Sequence, residues 1–237
     1  MERQRLLCRI GRRFATATQT LRIGPLEIPF TRVADPNRVL DEVANAEDRR
    51  EKLGGERHNG DELHLPYWAE LWDSAYGLAS FLTSRSTEAS RDRPPEVLDL
   101  GCGMGLTGTV AAATGCRVTF ADLEPPALLF ARLNSLPYRD RVRTRRLNWR
   151  TDTLARRFDL ILGADILYER PQWDFLDPFW RNHLAPNGSV LLGEPGRPAG
   201  DAFPDWIIGL GWRLTQHEQP VPTRPTPIRL FELQFAQ

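Results

Sequence analysis

One ten-residue segment constrains this chain more than any other: Val97-Leu98-Asp99-Leu100-Gly101-Cys102-Gly103-Met104-Gly105-Leu106. Its first residues, apolar except for Asp99, read as a buried strand. Three glycines at alternate positions demand a turn that larger side chains resist, and Leu106 opens a helix-like run. Strand, glycine turn and helix form the unit of doubly wound α/β sheets, in which bare backbone approaches a ligand at the strand's carboxyl end. The chain continues in the same alternation. Short strands are expected at 97–100, 117–121, 142–147, 160–164 and 189–193, with crossover helices at 106–114, 126–135 and 171–184, the last broken by Pro178. Such alternation implies a parallel sheet covered on both faces. Residues 212–217 and 228–235, joined by a proline-rich loop, read as an antiparallel pair at one edge.

The region before the glycine segment follows other rules. Residues 20–23 and 26–33 read as a β-hairpin around Gly24-Pro25, and 35–62 as a charged, partly helical connection. Pro66 opens a predicted helix with Trp68, Leu71, Trp72, Ala75, Leu78, Ala79 and Leu82 on one face. Tyr67 and the two tryptophans exceed what a packing face requires, which leaves a ring for ligand stacking. A polar break at 84–95 follows. We therefore expect an N-terminal extension, 1–62, and one main domain, 63–237. Arg3, Arg5, Arg9, Arg12 and Arg13 oppose a single acid, Glu2, in the first twenty residues. Without a processing signal this reads as a frayed basic terminus rather than a targeting segment.

Composition removes several function classes. Thirty-one basic residues balance thirty-one acidic ones, and the pI of 6.9 lies well below the value of about 9 that marks dedicated nucleic-acid binders. Arg139, Arg141, Arg143, Arg145, Arg146, Arg150, Arg156 and Arg157 form a basic stretch, but Lys52 is the only lysine. Arginine is thus the general solubilising cation, and the stretch reads as a solvated edge. No apolar run approaches the roughly 18 residues of a membrane span, so a soluble protein is expected. Cys8, Cys102 and Cys116 are odd in number and widely spaced, which suits no disulfide framework or zinc ribbon and fits a reducing, cytoplasmic compartment. His58, His64, His183 and His217 show no hydrolase or metal spacing and are expected to be structural or exposed. A monomer is the favoured state.

Two ligands compete for the glycine turn. Gly103, Gly105 and Gly108 fit G-x-G-x-x-G with Asp122 about twenty residues on, as in dinucleotide-binding proteins. A carboxylate at Asp99 would repel a pyrophosphate, whereas it favours a ligand carrying a sulfonium and an ammonium. S-adenosyl-L-methionine, with S-adenosyl-L-homocysteine as product, is therefore expected. Asp122 suits either ligand, because its carboxylate accepts hydrogen bonds from ribose hydroxyls.

From about Leu65 to the C-terminus the chain resembles the class I S-adenosylmethionine-dependent methyltransferases. The resemblance rests on Asp99-x-Gly101-x-Gly103, Asp122, Asn148-Trp149 and Asp165-Ile166-Leu167-Tyr168. It implies a Rossmann-like, doubly wound seven-stranded sheet. It also implies cofactor contacts from Trp72, Asp99, Gly101, Gly103, Asp122, Leu123, Asn148, Trp149 and Ala164. Asp165-x-x-Tyr168 with Trp72, together with Pro66-Tyr67-Trp68-Ala69 and Gly193-Glu194-Pro195-Gly196-Arg197-Pro198, is similar to the protein-lysine methyltransferase subgroup that includes the enzymes modifying the electron-transfer flavoprotein beta subunit. A protein substrate is implied.

Methyl transfer is an in-line displacement on an already activated carbon, which needs alignment and dehydration of the nucleophile but no dedicated metal. Asp165 is expected to hold an incoming ammonium and Tyr168 to orient it; the alternative is a helix-capping Asp165 with Tyr168 packed beneath. Glu194 either supplies a second acceptor for a cationic substrate or answers Arg197. Asp165-Ile166-Leu167-Tyr168 stands where enzymes methylating base nitrogens carry Asn/Asp-Pro-Pro-Tyr, which counts against a nucleic-acid acceptor. A small-molecule or RNA methyltransferase, a non-catalytic binding module and a nicotinamide-dependent enzyme remain as alternatives.

Overall fold

The computed structural model describes residues 1–52, 65–85 and 93–235. Helix α1 (Glu2–Gly11) leads into an antiparallel hairpin, β1 (Thr16–Ile23) and β2 (Leu26–Val33), closed at Gly24 with φ +55°. Helix α2 (Pro36–Lys52) follows. A 3-10 turn at Tyr67–Ala69 precedes α3 (Asp73–Ser84). The alternating region then runs β3 (Glu96–Leu100), α4 (Leu106–Ala113), β4 (Arg117–Asp122), α5 (Pro125–Asn134), β5 (Val142–Arg146), β6 (Phe158–Ala164), α6 (Trp173–His183) and β7 (Leu184–Glu194). Short helices α7 (Pro198–Asp201) and α8 (Phe203–Gly209) lead to β8 (Trp212–Gln219) and β9 (Ile228–Phe235).

The seven-stranded sheet has the order β5-β4-β3-β6-β7-β9-β8, with β9 antiparallel to both neighbours and the remaining pairings parallel. From β3 the chain winds outward to β4 and β5, then crosses back to β6. The switch point therefore lies between β3 and β6, where a doubly wound sheet opens a crevice beyond its strand ends. Both faces of the sheet are covered. One carries Leu78, Val110 and Phe130, and the other Trp173, Trp180 and Phe203. The predicted alternation and the antiparallel edge pair are thus present.

Several expectations need correction. The helix predicted from Pro66 is interrupted, because Glu70 (ψ 144°) and Trp72 (ψ 142°) are extended and α3 begins only at Asp73. The aromatic residues matched a helical spacing, but they occupy separate environments. Trp68 is buried against Phe14 and Phe130, while the Trp72 indole N–H donates to the Tyr67 carbonyl at 3.0 Å. Pro178 does not break α6, which runs through it. Proline forfeits one backbone bond there, and burial of Leu176, Phe179 and Trp180 around it outweighs that loss.

The N-terminus is not frayed: Leu6 and Ile10, one helical turn apart, are buried, and Arg132 of α5 meets Glu2 at 2.6 Å. Counting charges concealed that apolar stripe. The hairpin starts four residues earlier than expected and packs against α5 through Asn134. The Asn134 side chain accepts from the Thr31 amide at 2.8 Å and donates to the Thr31 and Met104 carbonyls. Strand β7 starts at Leu184 rather than 189, with a register irregularity opposite Phe158 and Leu160. Helix α8 had no sequence expectation. His58 and His64 lie outside the described residues, as do parts of the predicted 35–62 connection and the 84–95 break. Among the described residues, no helix is long and apolar enough to cross a membrane.

Candidate active site

At the carboxyl ends of β3, β4 and β6, the switch point opens into a cavity of about 580 Å³. Its floor is the glycine turn. Gly101, Gly103 and Gly105 all have positive φ, at +64°, +50° and +83°, a region costly for residues with a Cβ. Gly105 is held by packing as well, since a Cβ there would lie 2.7 Å from the Ala131 Cβ. A Cβ on Gly108 would lie 2.4 Å from Phe120 Cε1. Gly105 and Gly108 therefore let α4 approach β4 and α5. Their match to the dinucleotide pattern is accounted for by close packing.

Two buried carboxylates organise the turn. Asp122, at the end of β4, accepts the Gly103 amide at 2.8 Å and the Glu124 amide at 2.9 Å. Burial pushes its pKa up to about 6 despite these hydrogen bonds. Asp99 accepts the Gly108 amide at 2.8 Å, and burial pushes it up to about 7. The sequence reading assigned the Asp99 charge to a ligand. The structure commits one of its oxygens to the first turns of α4, although the residue still borders the cavity.

Trp72, Asp99, Gly101, Gly103, Asp122, Leu123, Asn148, Trp149 and Ala164 all line this one cavity. Trp149 sits beside Gly101, its indole N–H donating to Gln172 Oε1 at 3.1 Å. Asn148 builds the turn that presents it, accepting the Arg150 amide at 3.0 Å while its own amide donates to Asp152. Gln172 was missed by the sequence reading. It is buried, takes both Trp149 and Arg150 as donors, and its amide donates to Glu169. Only its position four residues after Tyr168 could have marked it.

Asp165 and Tyr168 form the wall after β6. Asp165 has φ +56° and does not cap a helix. Both its oxygens are taken by the Arg197 guanidinium, at 2.7 and 2.6 Å. That guanidinium also stands 5.3 Å from the centre of the Trp72 ring. Burial pushes Tyr168 up to about 12, so its phenol is neutral, and its ring meets Tyr67 edge-on at 5.6 Å. Glu194 is not brought to the cavity. It is buried, accepts the Gly196 and Arg197 amides and pairs with Arg229, whose other nitrogen meets Asp201 at 2.6 Å. Of the two sequence alternatives for Glu194, a substrate acceptor or a partner for Arg197, it meets Arg197 only through the backbone amide, and its side-chain partner is Arg229 on β9.

The remaining singled-out residues lie elsewhere. Strand β5 is an exposed edge, and Arg143 and Arg156 from the basic stretch meet Glu96. His183 is buried: its Nε2 accepts the Leu154 amide, which leaves Nδ1 to donate to the Phe179 carbonyl. His217 meets Glu232 at 3.3 Å.

Comparisons with known proteins agree with this geometry. Mouse EEF1A lysine methyltransferase 3 is 34% identical over 134 residues, covering 54% of this chain and 56% of that protein. Mouse electron transfer flavoprotein beta subunit lysine methyltransferase is 31% identical over 168 residues, covering 67% of this chain and 61% of its own length. The chain thus spans about three fifths of the length of these relatives. A crystal structure of the glycopeptide N-methyltransferase MtfA with S-adenosyl-L-methionine shares the fold, with TM-score 0.56 and 16% identity over 68% of this chain and 94% of that one. Residues 66–202 match the family model described as lysine methyltransferase, and the chain belongs to that family.

Proposed function

We propose that the protein is an S-adenosyl-L-methionine-dependent methyltransferase that modifies a lysine side chain of a protein substrate. The observation that carries this reading is one cavity whose floor is a bare glycine turn tied to buried Asp122 and whose far wall is Asp165 and Tyr168. The residues present fit the cofactor. Asp122 keeps acceptor capacity for ribose hydroxyls beyond its two amide partners, since a carboxylate offers about four lone-pair sites. Trp149 and Leu123 supply apolar surface for a purine. Family membership and the names of the two mouse relatives support a lysine acceptor.

When bound, the cofactor supplies a methyl group on a sulfonium. The chain's own residues must bring a neutral amine to it, because an ammonium, with a reference pKa of about 10.4, has no lone pair. Tyr67, Trp72 and Tyr168 make an aromatic mouth that excludes water and strips the incoming cation of its hydration. The neutral Tyr168 phenol orients the amine by hydrogen bonding. We take 63–237 as the catalytic domain and 1–62 as its extension. Three cysteines, odd in number and widely spaced, fit a cytoplasmic location, and we favour a monomer.

The test is a calorimetric titration with S-adenosyl-L-methionine and with NAD, followed by incubation with methyl-labelled cofactor and purified electron transfer flavoprotein beta subunit, EEF1A, RNA and a host lysate. Cofactor binding and a labelled protein band lost in Asp165→Asn are expected. Label only in RNA or small molecules would reject the lysine acceptor, and binding of NAD alone would reject the methyltransferase.

A further inference from the structure

The Asp165 carboxylate, on the cavity wall, already has a cationic partner on both of its oxygens. Arg197 approaches it from the loop between β7 and α7 with a bidentate fork, and only 4% of the Asp165 side chain is exposed, against 36% for Arg197. Arg197 is itself fixed, because its backbone amide donates to buried Glu194 and its guanidinium lies over the Trp72 ring. The Asp165 hydrogen bonds hold that guanidinium charged, raising an already high pKa. Since Asp165 and Trp72 both border the cavity, the substrate mouth presents a balanced ion pair where a bare carboxylate would otherwise stand.

Neighbouring charges have partners of their own or lie elsewhere on the cavity wall. Glu194 of β7 is answered by Arg229 of β9, which also takes Asp201 of α7. Asp73, at the start of α3, accepts the Thr223 hydroxyl. Glu70, Asp99, Asp122, Glu124, Glu169 and Arg150 also line the cavity, so the balance that Arg197 supplies is local to Asp165.

A bare carboxylate beside an amine stabilises the ammonium, and an opposite charge within about 4–6 Å moves a pKa by about 1–3 units. That would oppose the deprotonation that methyl transfer requires. Resting on the lysine-methyltransferase reading, we propose that Arg197 is a positioning residue that neutralises Asp165, so that the acceptor amine meets a charge-balanced pair at this wall and gives up its proton to solvent more readily than beside a bare carboxylate. Asp165 then orients through the pair and does not act as a free anionic seat.

The test reads amine binding at equilibrium and needs no turnover. n-Butylamine, the lysine head without its backbone, is titrated by NMR into the protein between pH 7 and 10, with and without S-adenosyl-L-homocysteine. Arg197→Met should bind butylammonium about tenfold more tightly than wild type at pH 8 and raise the bound amine's pKa by about one unit. Arg197→Lys, which retains the charge, should stay near wild type, and Arg197→Met with Asp165→Asn should lose the gain. Thermal melting and S-adenosyl-L-homocysteine affinity check each variant's fold, with Arg197→Gln measured in its place if Arg197→Met is not folded. No gain in the charge-removing variant, including no detectable binding to any protein, overturns the proposal. Failure of the lysine-methyltransferase reading would show separately, as absent cofactor binding or absent protein labelling.

Discussion

Replacing Asp122 by asparagine should move stability and ligand affinity in opposite directions. The carboxylate is 8% exposed, and burial raises its pKa from 3.8 to about 6. A group whose folded pKa is raised stabilises fully below the unfolded value, and that contribution is lost as pH rises through the folded one. At pH 8 the ionised side chain therefore costs the apo protein ~3 kcal/mol relative to its neutral form. The asparagine mimics the neutral form, and its amide must face one of the two N–H groups that Asp122 accepts. The apo variant should accordingly be as stable as wild type at pH 8 or more stable, by at most ~3 kcal/mol. Losing an anionic acceptor should weaken S-adenosyl-L-homocysteine binding about tenfold, since hydrogen bonds to charged groups contribute ~1.5–3 kcal/mol and one neutral acceptor remains. Wild-type affinity should also fall as pH drops below about 6, while the variant's should not. Asp99, raised to about 7 by burial and further by the Asp122 charge, titrates in both proteins, so the Asp122 contribution is read from the limb below about 6, where Asp99 is already largely protonated. Chemical denaturation of the apo proteins and calorimetry from pH 5 to 8 supply the measurements. Unchanged affinity at pH 8, or a variant destabilised by more than about 1 kcal/mol, would refute the reasoning.

Other expectations follow from single contacts. Gly105→Ala should lower the unfolding free energy by about 2–4 kcal/mol in denaturant titration, because a Cβ at φ +83° and 2.7 Å from Ala131 adds backbone strain to overpacking; a loss below about 1 kcal/mol would mean that α4 shifts freely. Asn134→Ala should cost about 2–4 kcal/mol by orphaning the buried Thr31 amide and two carbonyls. Because Met104 belongs to the glycine turn, hydrogen exchange there should quicken, and unchanged exchange would deny that coupling. Tyr168→Phe should reduce methyl transfer to the labelled protein about tenfold while leaving cofactor affinity unchanged, since the phenol is placed on the acceptor amine; equal transfer rates would remove that role.

Local chemistry made much of this molecule legible. Glycines at 101, 103 and 105 demand positive φ and bare backbone, and the short apolar runs around them have strand length and little else to become. Those constraints act within a few residues, so the sequence by itself determined the parallel alternation, the antiparallel edge and the place where the sheet opens a crevice. The family resemblance named several residues that line the crevice, because strand ends in this topology converge on the switch point, but Glu194 at the end of β7 is not among those that line it.

What failed required partners distant in sequence. The spacing of Trp68 and Trp72 imitated a helix, but Phe14 and Phe130 claimed one ring and the Tyr67 carbonyl the other. The arginines of α1 suggested a loose end until α5 supplied a surface for Leu6 and Ile10. Most consequentially, Asp165 and Glu194, acids after adjacent strands, each left a substrate role and a structural role open in the sequence. Tertiary structure separated them, giving Asp165 to Arg197 at the cavity and burying Glu194 on Arg229 away from it. The physical reason is that a carboxylate's function depends on its charge partner and its water, and both are set by chain segments tens of residues away.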